Sequence, residues 1–471
     1  MDSETGMRAL LMLPEMLTFG GGLVVLIGGS FLPRQRQWWA RILAAAALAG
    51  AIAAALVGMT GPDQTAFTGT FAVDTATGVA RIAAAVGVLL VLAIAGDEIA
   101  GTARESETYA LLLFSTTGVL VLAGANDLLV LATGYLLASI PVYGLIGLRS
   151  TGLAAEAALK TYLMGALFGI ILLLGITVFY GITGATRYDE LARNLGGAPI
   201  AAVATSLVAV LAGLMFEAGA LPAHFWVPDA AQGATGTAAL FLTTVPKLGA
   251  LIALYRVAIV LPNTVAWPLV IAIFAVATMT LGNLAAYWQQ DPRRLLGWST
   301  VSQVGYLLVP IAVAGHSELA LPSLLFYLIG YTLTNSAAFA VSTALPDRRD
   351  LTGYRGLSRA QPWLAGALVV ALLGLVGTPP TAVFVGKLTT ATAAWDGGSA
   401  WLAALVFVNS LISLFYYLRW IIPLFQKPES TTAPTPRRCS TSIAILAAGL
   451  SLTVGIAAGP MWGALAAAPI R

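Results

Sequence analysis

The stretch ALFLTTVPKLGALIALYRVAIV, Ala239 to Val260, decides the fold. As a helix rising about 1.5 Å per residue it is long enough to cross a hydrocarbon core about 30 Å thick. Its lysine, Lys247, lies about 12 Å along that helix, near the middle of the hydrocarbon, where an amine cannot easily snorkel to either surface. Apolar stretches of this length recur along the whole chain of 471 residues. With 58% hydrophobic residues, 10% charged residues and a mean hydropathy of +0.87, too little polar surface remains for a water-soluble globule. We count about fourteen candidate spans. Lipid gives the backbone no hydrogen-bond partner, and the stretches are too long and unbroken for barrel strands, so the expected fold is all-α and polytopic.

The first stretch, around Leu10 to Leu32, carries Pro14 and Glu15 without a small-residue cleavage site, and reads as a retained helix. A single cysteine, Cys439, excludes a disulfide framework, cysteine-held iron-sulfur clusters and a thiolate zinc site, and no phosphate-cradling glycine loop is present. We therefore assign no cofactor or metal to this chain. Its formal net charge of +3 arises from basic residues in short connections and calls for no nucleic acid.

Arg34, Arg36 and Arg41, then Arg149, Arg293, Arg294, Arg348, Arg349, Arg355, Arg359, Lys427, Arg437 and Arg438, fall in alternate connections. The positive-inside tendency assigns those to the cytoplasm of a bacterial inner membrane and puts both termini outside. One connection runs against it: Asp97, Glu98, Glu105 and Glu107 outnumber Arg104 on the same side. The proline-rich stretch Gln426 to Arg438 reads as a linker before a final helix, roughly Ser442 to Trp462.

Two spans are interrupted. Leu221-Pro222-Ala223-His224-Phe225-Trp226-Val227-Pro228-Asp229 breaks one and Gly377-Thr378-Pro379-Pro380 breaks another. Proline removes a backbone donor and clashes with the preceding turn, so each span should be two half-helices. Paired breaks in two halves of a transporter-like chain point to inverted repeats around a polar path at mid-membrane; ordinary proline kinks are the simpler alternative.

Of 24 basic residues only four are lysine: Lys160, Lys247, Lys387 and Lys427. Arginine keeps its proton, whereas a desolvated lysine can release one, so lysines inside apolar spans are the candidate proton carriers. For Lys247 the alternative is a fixed ion pair. For Lys160 it is an i,i+4 pair with Glu156 or snorkelling from a helix end, and for Lys387 it is a surface-reaching role. Glu217, five residues before Pro222 on an apolar helix, should take up a proton or pair with a lysine.

Tyr109 to Leu129 with Asp127, the run Ala155 to Lys160, Leu221 to Gly233 with its Pro-x-His-x-Trp-x-Pro-Asp core, Asp291 to Tyr306, and Gly377 to Lys387 follow one another in an order that resembles subunit N of bacterial NADH-quinone oxidoreductase (complex I), an antiporter-like family. The resemblance spans nearly the whole chain. It implies fourteen helices with two inverted five-helix repeats, each giving a half-channel, joined by a hydrophilic axis. We divide the chain into N-terminal helices (1–106), a first repeat (107–262), a second repeat (263–425) and a linker with a C-terminal helix (426–471). Lys160, Lys247 and Lys387 match family lysines on the sixth, eighth and twelfth helices, and His224 matches a histidine beside the first break. Pro222, Pro379, Glu156 and Asp127 are carried over as supporting positions.

The chain departs from the family pattern in its first half. The acidic position of the fifth helix is Leu136, the lysine position of the seventh is Glu217, and a common histidine position of the tenth is Gln303. One expectation is that Glu217 replaces the missing acid by pairing with Lys160 or Lys247; the other is that the first half no longer conducts. The implied function is a proton-translocating subunit of a translocase. It does no redox chemistry itself, while NADH, flavin, iron-sulfur clusters and quinone belong to partner subunits. The alternatives are a subunit of a multisubunit cation/proton antiporter, of a membrane-bound hydrogenase or of an ion-driven bicarbonate system, a stand-alone carrier, or a largely structural paralogue.

Overall fold

A computed structural model describes residues 8–262, 264–428 and 435–467. The described residues begin with a short 3-10 turn (Ala9–Met12), then α1 (Leu13–Phe31), α2 (Trp38–Gly58), α3 (Thr75–Glu98), α4 (Glu105–Gly124), α5 (Leu128–Gly147), α6 (Gly152–Thr183) and α7 (Tyr188–Leu195). The middle holds α8 (Ile200–Ala218), α9 (Trp226–Gly233), α10 (Gly236–Val260), α11 (Trp267–Ala286), α12 (Pro292–Ala312) and α13 (Ala320–Ala344). The last part holds α14 (Leu357–Ala360), α15 (Pro362–Val376), α16 (Ala382–Asp396), α17 (Ala400–Phe425), α18 (Arg438–Ile456) and α19 (Ala458–Ala466).

Among the described residues, 13 helices are long and apolar enough to cross a membrane, and α15 with α16 supplies one more crossing in two pieces. The fourteen spans of the sequence reading are therefore present. Part of the proposed linker, residues 429–434, lies outside the described residues. The last helix starts at Arg438, earlier than the sequence pattern placed it, and turns at Ala457 into α19.

The fold is not helical throughout. β1 (Gln64–Ala66) and β2 (Phe71–Val73) pair antiparallel, with Thr65 opposite Ala72. This hairpin is too short to show alternation in the sequence, and its turn uses left-handed Thr68 and Gly69. It marks one face of the bundle, which we call the hairpin face. The arginine-bearing connections gather at the other end, the arginine face.

Burial follows chemistry in a lipid-embedded bundle. α10 is buried along its whole span and α12 and α13 nearly so, while α1, α2, α6 and α18 present leucine, isoleucine and phenylalanine outward. Buried hydroxyl and amide side chains gather on the inner helices, where neighbours satisfy them, while exposed hydroxyls such as Thr133, Thr177 and Thr205 donate to their own helix. α4 packs on α5 as α11 packs on α12, and α6 packs on α8 and α9 as α13 packs on α15 and α16. The broken span α8–α9 runs from the hairpin face to the arginine face, and α15–α16 runs the other way, as inverted repeats require.

The acid-rich connection that opposed the charge pattern has a structural use. Asp97 Oδ2 accepts from Ser440 N at 2.6 Å and from Ser440 Oγ at 2.9 Å, capping the start of α18. Glu98 accepts from the backbone N–H groups of Gly236 at 2.9 Å and Thr237 at 2.8 Å, capping α10. Carboxylates at helix N-termini satisfy otherwise orphaned donors and complement the helix dipole. Glu105 likewise accepts from Gly101 N and Tyr109 Oη.

Two buried ion pairs tie helices together near the hairpin face. Arg81 on α3 holds Glu15 on α1 at 2.8 Å. Arg256 on α10 holds Asp74, the N-cap of α3, at 2.7 Å, and also donates to Ala123 O. A cavity of about 620 Å³ opens beside the second pair. Burial works against the charge on Asp74, but Arg256 and the hydrogen bonds from Thr77 outweigh it and hold the carboxyl below its ordinary value. Asp74→Asn strands the buried guanidinium and should cost about 3–5 kcal/mol, read as a lower Tm in detergent. Because the folded-state value is depressed, the contribution stands at neutral pH and is lost as pH falls through that value.

Candidate functional site

Each break leaves helix carbonyls without their usual donors, and each is closed in the same way. At the first, α8 ends at Ala218 and Gly219 takes φ 82°, a left-handed conformation that glycine adopts without strain. Gly219 N and Ala220 N turn back to Met215 O. Two carbonyls of the last turn are then met by side chains: Trp226 Nε1 donates to Phe216 O at 3.0 Å, and Lys247 Nζ donates to Glu217 O at 3.2 Å. The ammonium also lies 4.7 Å from the Trp226 ring centroid, within cation–π range.

The second break repeats the arrangement with other residues. α15 ends at Val376 and Gly377 takes φ 94°. Lys387 Nζ donates to Leu375 O at 3.0 Å and Val376 O at 2.9 Å, and lies 4.0 Å from the Tyr306 ring centroid. Both lysines are thus C-caps of a half-helix set against an aromatic face. Lys247 reaches its break from the next span, Lys387 from the second half of the same span. Neither reaches the surface: Lys247 is 0% and Lys387 3% exposed.

Glu217 is buried, and its carboxylate accepts a short hydrogen bond from Ser139 Oγ on α5. It forms no direct ion pair with Lys247 among the described residues; the ammonium bonds its backbone carbonyl instead. Leu136, the position matching the missing acid, is 41% exposed on the outer side of α5. Ser139 lies one turn further on and faces inward. Nothing in the sequence pattern singled out Ser139; a hydroxyl on an apolar helix one turn from the expected acid was the available signal.

Lys160 is not brought to Glu217. Half exposed, it pairs with Glu156 at 2.6 Å and with Asp229 at 2.9 Å, and Asp229 also holds Arg294 at 2.6 Å. His224 is buried in the first break between Phe225 and Trp298, and its Nδ1 has no protein partner. Pro222 and Pro379 lie in the two breaks. Asp127 is remote from both lysines: it caps α5 through Leu129 N and accepts from Thr186 Oγ1 near the hairpin face.

Polar side chains occupy the interior between the two lysines. Thr243, one turn before Lys247, offers its carbonyl to Tyr331 Oη at 2.7 Å, and Tyr331 lies 3.1 Å from Thr300 Oγ1. Asn335 Nδ2 donates to Thr243 Oγ1 and Tyr331 Oη, both at 3.2 Å, while its Oδ1 has no partner. Gln303, one turn beyond Thr300, donates to Leu375 O at 2.9 Å and accepts from Tyr327 Oη at 2.7 Å. Leu375 O is the same carbonyl that Lys387 caps. Among the described residues no cluster of His, Cys, Asp or Glu could hold a metal ion.

The family profile described as "NADH:quinone oxidoreductase/Mrp antiporter, TM" matches residues 125–413. NADH-quinone oxidoreductase subunit N of Mycobacterium sp. (strain JLS) is 70% identical over 98% of this chain and 99% of its own length. A chain of respiratory complex I from Thermus thermophilus with bound aureothin superposes with a TM-score of 0.84 at 32% identity, covering 97% of this chain and 100% of that one. A chain of the Mrp complex from Dietzia sp. DQ12-45-1b shares the fold, with a TM-score of 0.85 at 22% identity over 98% of this chain and 97% of its own. With helix breaks, buried lysines and connecting polar interior all in place, the chain belongs to the NADH:quinone oxidoreductase/Mrp antiporter transmembrane family, in its subunit N branch.

Proposed function

We propose that this chain is a proton-translocating membrane subunit of a bacterial NADH-quinone oxidoreductase, a translocase whose redox chemistry on NADH, flavin, iron-sulfur clusters and quinone is done by partner subunits. Its arginine face is cytoplasmic and its hairpin face, with both termini, lies outside the plasma membrane. The observation that carries this reading is the repeated one: a buried lysine, without an ion pair among the described residues, capping the broken end of a membrane helix in each half.

An ammonium bound only to carbonyls and an aromatic face is stabilised by dipoles, not by a fixed counter-charge. A change in nearby charge can therefore tip it towards releasing its proton. Glu217, held by Ser139 beside the first lysine, is the acid of the first half, moved from α5 to α8. Tyr331, Asn335, Thr300 and Gln303 line the way from Lys247 to Lys387. Redox events in the partners shift charge along this axis, and protons enter from the arginine face and leave at the hairpin face. The membrane potential makes each crossing cost about 2.3 kcal/mol per 100 mV, so the path must never open to both faces at once.

Lys247→Arg and Lys387→Arg keep the positive charge and the carbonyl cap but hold the proton. Each should assemble into the complex yet lower proton pumping in reconstituted vesicles several-fold; normal pumping by both would remove the basis of the proposal. Glu217→Gln measured in the same vesicles should also cut pumping several-fold, and an unchanged rate would mean that the relocated carboxylate carries no proton.

A further inference from the structure

We propose that Ser323 and Thr390 hold a water that takes the proton from Lys387 and starts it along a hydrated seam towards Asp396 at the hairpin face. The inference rests on the proposed pumping role of Lys387 and extends it to the way out.

α13 and α16 pack antiparallel, and two contacts fix their register. Gly386, beside Lys387, lies against Tyr327, where a Cβ would fall 2.9 Å from the Tyr327 backbone. At the end of the seam Ser317 Oγ donates to Asp396 Oδ2 at 2.6 Å. Counting back from Tyr327 along α13 to Ser317, just before its first residue, and forward from Gly386 to Asp396 pairs the two contacts residue for residue and sets Ser323 level with Thr390. Both residues are 0% exposed, and neither hydroxyl has a partner among the described residues.

Their neighbours behave differently. Thr389 and Thr392 on α16 donate to Gly386 O and Leu388 O of their own helix. Thr332, Thr334 and Ser336 on α13 do the same with Leu328 O, Gly330 O and Thr332 O. Back-bonding is the usual way for a helical hydroxyl to be satisfied in an apolar setting. Two buried hydroxyls at one level of the seam that forgo it need another partner, and an ordered water supplies one.

Thr390 is three residues beyond Lys387, so the two share one helix face. When the lysine arm leaves the carbonyls of Leu375 and Val376 and swings outward, its ammonium gives a proton to the water and becomes an amine. The water passes one of its own protons on along the seam through further water, since about 9 Å of helix rise separates Thr390 from Asp396, and the exposed Asp396 carboxylate takes it up and releases it to solvent. One N–H bond breaks, one O–H bond forms at Asp396, and the water is regenerated; the amine is reloaded from the Gln303 side.

The test uses the assembled complex in vesicles with a Cys439→Ser chain as background. A charged methanethiosulfonate reagent is added on the hairpin-face side to Ser323→Cys, Thr390→Cys and Ala391→Cys chains, Ala391 being buried one residue off the proposed route. Hydration predicts labelling of the first two on the order of tenfold faster than the third. Equal rates for all three would overturn the water site. Asp396→Asn should slow pumping several-fold with assembly unchanged, and undiminished pumping would overturn the last step. Should Lys387→Arg pump normally, the pumping role itself fails; should Lys387→Arg be blocked while all three cysteines label alike, only this exit route fails.

Discussion

A helix that stops inside a membrane exposes carbonyls that water cannot reach and lipid cannot bond. That constraint organises this protein. Each of its two interrupted spans meets it with a buried lysine ammonium, because the cap must donate to carbonyls that lie too deep for bulk solvent. The cost of placing a charge there is offset by the carbonyl dipoles and by an aromatic face. In the proposed function the device that completes the backbone is also the one that stores a proton, so structural and functional demands on Lys247 and Lys387 cannot be separated by removing the amine. Only a change that keeps the charge while fixing the proton, as arginine does, distinguishes them.

The two halves reach this arrangement by different routes. Lys387 caps the break in its own span, whereas Lys247 comes from the neighbouring one and leaves room for Glu217 to turn toward Ser139. The first half thereby keeps an acid near its lysine although the fifth helix has lost one. The polar interior between the halves contains hydroxyls and amides rather than further charges, which suits a path that must carry protons without trapping them.

Much of this was legible in the sequence because lipid makes exceptions conspicuous. Lys247, Lys387, Glu217 and the two proline-bearing breaks all stand out against apolar surroundings, and the three side chains lie buried at or beside a break. What escaped was what periodicity and composition do not carry. Ser139 is an unremarkable residue until α5 and α8 are brought together. Lys160 looks equivalent to the other lysines along the chain, but α6 turns it outward to Glu156 and Asp229. Asp97 and Glu98 contradicted the charge pattern because their use, capping two helices far away in sequence, depends on tertiary packing. The β1–β2 hairpin was too short to leave a signal.

The central claim is that the two capping lysines, and not the others, change protonation as the complex works. The chain has only four lysines, so 15Nζ-lysine labelling of this subunit in the assembled, membrane-embedded complex gives a spectrum simple enough to assign. During turnover Lys247 and Lys387 should each populate a neutral-amine resonance while Lys160 stays an ammonium. Ammonium signals alone at both capping lysines, in a complex that is pumping, would contradict the account.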